Sequence, residues 1–215
     1  ERIRDRLRNY GLDEVEIVAL PPDGEIFYGT QRSRPAWNAR FAELWEQREE
    51  DGRWRDAVRA ASWAEQPISL AQDSVSGRAE AELVDIGAGT SEADYEGRDV
   101  RGRLVLTSSQ PEAVQNLAIG RFRAAGIVSW AQNQRTGWWG EDESLVRWGH
   151  LATFGEYPTL AFMVSPARAR AWQERMRRGE TVRLRAEVEA GRSPGHYLIP
   201  TAGIPGERRD QDIEC

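Results

Sequence analysis

Lysine is absent: all 29 basic side chains are arginine, set against 35 carboxylates for a net charge of −6. A net charge of that sign disfavours a general nucleic-acid role, because phosphate binding needs positive potential. The arginine-only usage itself carries no mechanism. Cysteine occurs once, at Cys215, so no disulfide can form within the chain. Histidine occurs twice, at His150 and His196, with no H-E-x-x-H spacing and no nearby cysteine. That falls short of the three or so protein ligands a catalytic zinc takes. No apolar run approaches the ~20 residues of a membrane span. Ser108, Ser109, Ser129 and Ser165 lack a G-x-S-x-G setting and an activating histidine–acid pair, which argues against a serine hydrolase. Gly87-Ala88-Gly89-Thr90 has too few glycines, and no apolar helix after it, to be a phosphate loop.

What is present is an ordinary globular balance, 40% hydrophobic and 30% charged. Its organising stretch is Gly97–Trp130. Val100 and Leu104-Val105-Leu106 predict a buried strand. Pro111 opens a helix, and Val114, Leu117, Ala118, Phe122 and Ala125 give it one apolar face. Gly126 is expected to stop that helix, and Ile127–Trp130 to form a second strand parallel to the first.

Around this unit the chain reads in order. Ile3, Leu7 and Tyr10 predict a short helix ending at Gly11. Val15, Ile17 and Ala19 predict a strand, with Ile26-Phe27-Tyr28 returning as its hairpin partner across Pro21-Pro22-Asp23-Gly24. Pro35 is read as opening a second helix with Trp37, Phe41, Leu44 and Trp45 on one face, broken at Asp51-Gly52. Trp54 to Trp63 fits helix and strand equally. Ile68–Leu70, Ala79–Ile86 and Pro158–Val164 predict strands, and Ser165-Pro166 caps a helix burying Trp172 and Met176. Val182–Val188 alternates like an edge or half-exposed strand, and Tyr197–Leu198–Ile199 opens the last strand region. The expected organisation is an α/β chain of three parts: 1–66, an inserted β-rich domain with covering helices over 67–189, and a returning segment over 190–215. Glu1 opens without methionine and Cys215 closes without a recognisable cap, so a piece of a longer protein is expected.

Asp94-Tyr95-Glu96-Gly97-Arg98-Asp99-Val100-Arg101-Gly102-Arg103-Leu104-Val105-Leu106 and Ala124-Ala125-Gly126-Ile127-Val128 together resemble the protease-associated (PA) domain. Arg178-Gly179-Glu180 to Ala190-Gly191 and Tyr197 to Ile204-Pro205-Gly206 resemble the re-entry into the peptidase domain of co-catalytic zinc aminopeptidases. That family includes aminopeptidase Y, the glutamate carboxypeptidases and the transferrin receptor. The resemblance implies a PA-like domain inserted into a partial zinc-exopeptidase α/β domain, with a peptide as substrate and an extracytoplasmic location. It implies two zinc ions in the parent. The family's first ligands form an H-x-D sequence that this chain does not contain, so no catalytic or metal residue carries over. The piece alone is expected to be inactive, with the remainder of its own peptidase domain as partner. The rival class is a non-catalytic receptor-like or interaction module of the same architecture.

The densest aromatic segment is Gln132–His150, and its candidates for substrate access or domain contact are Trp138, Trp139, Arg147, Trp148 and His150. Clustered tryptophans mark recognition surfaces when exposed. Packing is the preferred reading, because most large aromatics are substantially buried. Glu141, Asp142 and Glu143 read as a solvated acidic turn, His196 as an exposed loop residue, and Arg168, Arg170, Arg175, Arg177 and Arg178 as the solvated face of one helix.

Overall fold

The computed structural model describes residues 1–132, 142–204 and 213–214. The chain divides into two compact units, Glu1–Ala36 with Arg192–Cys215, and Trp37–Gly191 between them. Helix α1 (Arg2–Asn9) closes at Gly11, whose φ of +78° suits glycine, and leads to strand β1 (Asp13–Leu20). The Pro21–Gly24 turn is locked by Asp23, whose carboxylate accepts from the amides of Glu25 and Ile26 at 2.8 and 2.9 Å and from the Ser33 hydroxyl at 3.0 Å. These bonds, the Ile26 amide first, hold the Asp23 pKa below its ordinary value. Strands β2 (Phe27–Tyr28) and β3 (Gln31–Arg32) pair only with each other. The expected pairing of Ile26–Tyr28 with Val15–Ala19 does not form.

The second unit opens with β4 (Trp37–Glu50) and β5 (Arg53–Ser62), a long antiparallel hairpin where a helix was expected after Pro35. Asp51 and Gly52 take φ of 52° and 70°, the left-handed pair that a two-residue hairpin turn requires. The dipeptide is thus a strand connector. Ala42, Leu44 and Glu46 are buried at strand period, so the helical spacing of the aromatics is incidental. This hairpin joins the main sheet, and the compact unit therefore begins at Trp37, ahead of the expected Pro67. Pro67–Ser69 is a single 3-10 turn.

Strands β6 (Gly77–Asp85), β7 (Leu104–Thr107), β8 (Gly126–Ser129) and β9 (Ala161–Met163) run parallel side by side. The β7–β8 pair is the parallel unit expected from sequence. Helix α2 (Pro111–Gln115) connects them through a π-helical stretch, Asn116–Arg121. Arg123, at φ 61°, reverses the chain, whereas Gly126 is already the first residue of β8. Gly126 answers to packing: a Cβ there would sit 2.6 Å from Leu160 Cδ1 and 3.0 Å from Leu104 Cδ2. Helix α3 (Pro166–Arg177) follows, with Ser165 Oγ accepting from the Arg168 amide at 3.4 Å as its cap.

Strand β10 (Arg183–Arg192) then lies between β4 and β6, giving a seven-stranded order β5-β4-β10-β6-β7-β8-β9. It is an interior strand, so of the two expectations, an edge or a half-exposed strand, the second is the one observed. Leu184, Ala186 and Val188 face the core, while Arg183 pairs with Glu80 on the adjacent β6 and Arg185 reaches past β4 to Asp56 on β5. The chain returns as β11 (Tyr197–Ile204), antiparallel to β1, with β12 (Ile213–Glu214) beyond it. Where the chain leaves and rejoins the first unit, the Ser193 amide donates to the Ala36 carbonyl at 2.9 Å.

Strand alternation divides the core. Leu104, Leu106, Val128 and Phe162 face one side with Trp172 of α3. Val105, Ile127, Ala161 and Met163 face the other with Val114 and Ala118. Each of the valine, leucine, isoleucine, phenylalanine and methionine side chains among them, fully buried, contributes about 1.5–3 kcal/mol. The α/β class expected from sequence is the observed one.

Candidate functional site

The parallel strands deliver their C-terminal ends to one side of the sheet, the side on which open α/β sheets place ligands. The serines there serve the backbone. Thr107 Oγ1 lies 2.8 Å from the Ala88 carbonyl and accepts from the Ser109 amide at 3.1 Å. Ser129 Oγ donates to the Ser109 carbonyl at 2.7 Å and accepts from the Ala131 amide at 3.1 Å. Ser165 caps α3. The hydroxyls of Ser129 and Ser165 are committed to loop and helix geometry.

Across this edge runs the strap Arg147–Leu151. Gln72 bridges it, donating its amide to the Gly149 carbonyl and accepting from the Leu151 amide, both at 2.9 Å. The Glu112 amide donates to the His150 carbonyl at 2.9 Å, and Gln110 Nε2 to the Trp148 carbonyl at 3.3 Å. The strap passes close over β9: a Cβ on Gly149 would lie 2.2 Å from Met163 Sδ. Its side chains point two ways. The Trp148 ring stacks on His150 with centroids 4.8 Å apart and planes at 22°, and is itself 45% exposed. His150 is half-buried, with Nδ1 3.3 Å from a Glu112 carboxylate oxygen. Arg147 Nε donates to Gln132 Oε1 at 3.1 Å.

The structure therefore brings Arg147, Trp148 and His150 onto one strap. Trp138, Trp139 and Glu141 lie outside the described residues. Glu112 and Gln110, which hold the strap from α2 and its approach, carried no signal in the sequence, because nothing in local spacing joins them to Trp148 and His150. The acidic turn has internal uses: Asp142 accepts from the Ser144 hydroxyl and amide, which hold its pKa below the ordinary value, and Glu143 pairs with Arg170. His196 is exposed in the β10–β11 connection. The arginines of α3 are more than a solvated face, since Arg175 pairs with buried Glu46 and with Glu180. Among the described residues, no group of three His, Cys, Asp or Glu side chains is placed to hold a metal ion.

No protein-family model matches the sequence, and no curated protein does. Solved structures do resemble the fold. The aminopeptidase from Aneurinibacillus sp. strain AM-1 superposes with a TM-score of 0.54 at 17% identity, covering 97% of this chain and 42% of its own. The peptidase M28 precursor from Shewanella amazonensis gives 0.55 at 12% identity, covering 93% and 42%. BSAP, a zinc aminopeptidase from Bacillus subtilis, gives 0.54 at 13% identity, covering 96% and 40%. The chain thus spans about two fifths of the length of each. At these identities the likeness is one of fold, and the fold is that of part of an aminopeptidase structure.

Proposed function

We propose that this chain is the accessory and N-terminal region of a zinc-dependent exopeptidase of aminopeptidase type. In this reading Trp37–Gly191 is a protease-associated domain that shapes the access of peptide substrates, and the chemistry belongs to residues elsewhere. One observation carries the reading: nearly the whole chain superposes on two fifths of zinc aminopeptidase structures, while its described residues offer no group of metal ligands. Zinc does not fit the described residues, so no catalytic step is assigned to them. In the parent, two zinc ions would supply the activated water. An extracytoplasmic location belongs to the same proposal.

A second reading is favoured by Trp148. An exposed tryptophan stacked on histidine, on a strap without nucleophile or ligands, also suits a non-catalytic interaction module. An assay separates the two. The longest natural polypeptide carrying this sequence is offered aminoacyl-anilides with and without chelator. The peptidase reading expects zinc-dependent hydrolysis, with none from the 215-residue chain alone. Absent or chelator-insensitive hydrolysis overturns it in favour of the interaction module.

A further inference from the structure

The dipeptide Asp-Gly occurs twice in the sequence, at Asp23-Gly24 and Asp51-Gly52, and Asn-Gly does not occur. In such a pair the aspartate side chain is open to attack by the backbone nitrogen that follows, because glycine has no Cβ to shield that nitrogen. The attack needs a carboxyl group free to turn, an amide not held by an acceptor, and a backbone loose enough to bring the two together. The two copies differ in all three respects. At Asp23-Gly24 both reacting groups are held. The Asp23 carboxylate accepts from the amides of Glu25 and Ile26 and from the Ser33 hydroxyl. The Gly24 amide donates to that same hydroxyl at 3.0 Å, and Ser33 is only 3% exposed. Turning Asp23 onto the Gly24 nitrogen therefore breaks several hydrogen bonds at once.

Asp51-Gly52 is the exposed two-residue connection at the tip of the β4–β5 hairpin. Among the described residues, no hydrogen bond or ion pair engages the Asp51 carboxylate and none leaves the Gly52 amide. The ion pair at this end of the hairpin belongs to Glu50 and Arg55 instead. A Cβ placed on Gly52 would meet nothing within 4 Å, so the space around the nitrogen is open. A hairpin tip is also among the first parts of a fold to open locally.

We propose that Asp51-Gly52 is a site of covalent self-modification, where Asp51 converts to isoaspartate, and that the folded turn protects Asp23-Gly24 from the same reaction. The Gly52 nitrogen loses its proton and bonds to Asp51 Cγ. One carboxyl oxygen leaves as water, and a five-membered cyclic imide remains. Water then adds to one of the two imide carbonyls, and the C–N bond at that carbonyl breaks. Opening at Cγ restores aspartate. Opening at the α-carbonyl leaves the chain running through Cβ and Cγ, with one more methylene in the backbone and the α-carboxylate free. The water lost in the first step is regained in the second, so composition is unchanged and no oxidant or cofactor enters. A two-residue hairpin turn has no place for the added atom, so the product loosens the Glu50–Arg53 pairing that closes it.

The test is a timed incubation of the longest natural polypeptide carrying this sequence, folded in neutral buffer. Isoaspartate is then labelled by an isoaspartate-specific carboxyl methyltransferase with a labelled methyl donor, and the label is located by peptide mapping. The expected result is label at position 51 that grows with time. It should exceed the label at position 23 by about tenfold or more, the factor by which one or two retained hydrogen bonds suppress the reactive conformer. In urea the two positions should become equally reactive. Ser33→Ala, which releases the Gly24 amide and one bond to Asp23, should raise the label at 23 and leave that at 51 unchanged. Gly52→Ala should lower the label at 51 by shielding the nitrogen. No label at 51 in the folded protein overturns the proposal. So does equal label at 23 and 51 before urea is added, because the turn at Asp23 then gives no protection.

Discussion

The indole Nε1 of Trp172 donates to the carboxylate of Glu46 at 2.8 Å, joining α3 to β4 across 126 residues of sequence. Both partners are buried, and Arg175 closes on the other carboxylate oxygen. A buried carboxylate is tolerable here because a ring N–H and a guanidinium satisfy it together. Glu46→Ala leaves the indole N–H without an acceptor and Arg175 without its inner partner. The expected cost is about 2–4 kcal/mol, read as a lower urea midpoint at unchanged m-value. Glu46→Gln, which keeps an acceptor for Trp172, should cost less than half as much.

Gly149 lies against Met163. Gly149→Ala should destabilise by about 1–3 kcal/mol, the usual range for overpacking, and loosen the Trp148 end of the strap. The double variant with Met163→Ala vacates the contested space. A thermal-melt cycle should therefore show strong non-additivity, and additive losses would show that the strap is not held by this contact.

Asp56 accepts a hydrogen bond from Arg185 across the sheet at 2.9 Å, the first cause of its lowered pKa. A folded pKa below the unfolded one means that the pairing stabilises the protein above about pH 4, the ordinary aspartate range. It is lost as pH falls through the lower, folded value. The stability difference between the wild type and Asp56→Asn should be flat above about pH 5 and shrink in more acid solution. A difference that grows on acidification would contradict the pairing. Salt should reduce it only partly, because Arg185 is just 14% exposed.

Trp148 offers a cleaner separation of roles. Half of its surface is already in water, so Trp148→Ala should cost less than about 1 kcal/mol in a chemical melt. In the longest natural polypeptide, a strap that shapes access should show a raised KM for peptide substrates at nearly unchanged kcat. Lower melting temperature with unchanged kinetics would assign the ring to packing.

Zinc added to the 215-residue chain should leave its melting temperature within about 1 °C. A folded-state site would raise it by mass action. A concentration-dependent rise would reveal ligands outside the described residues.

The sequence was most informative where local chemistry and burial agreed. Leu104–Leu106, Pro111, Ile127–Val128 and Ser165-Pro166 each carry one meaning, and the β7–α2–β8 unit and α3 follow from them. It misled where one residue type serves two elements. Asp51-Gly52 breaks a helix and turns a hairpin with equal ease, and only the pairing of Glu50 with Arg53 decides for the hairpin. Alternation on β10 correctly indicated a half-exposed strand but left its place in the sheet open, because arginines that reach carboxylates on other strands suit an interior strand as well as an edge. The strap was visible as a run of aromatics, yet Glu112 under His150 was not. Contacts across the fold leave no spacing to read.

The Ala36–Ser193 hydrogen bond has a mechanical consequence. Because the chain leaves the first unit and rejoins it at adjacent backbone atoms, tension between α1 and β11 is carried within that unit, by the β1–β11 ladder and then by that junction. The 155 residues from Trp37 to Gly191 are bypassed by that path until the bond breaks. In a force experiment pulling between Arg2 and Ile204, the first unit should yield first. The seven-stranded sheet should lengthen the chain only afterwards, as a separate event.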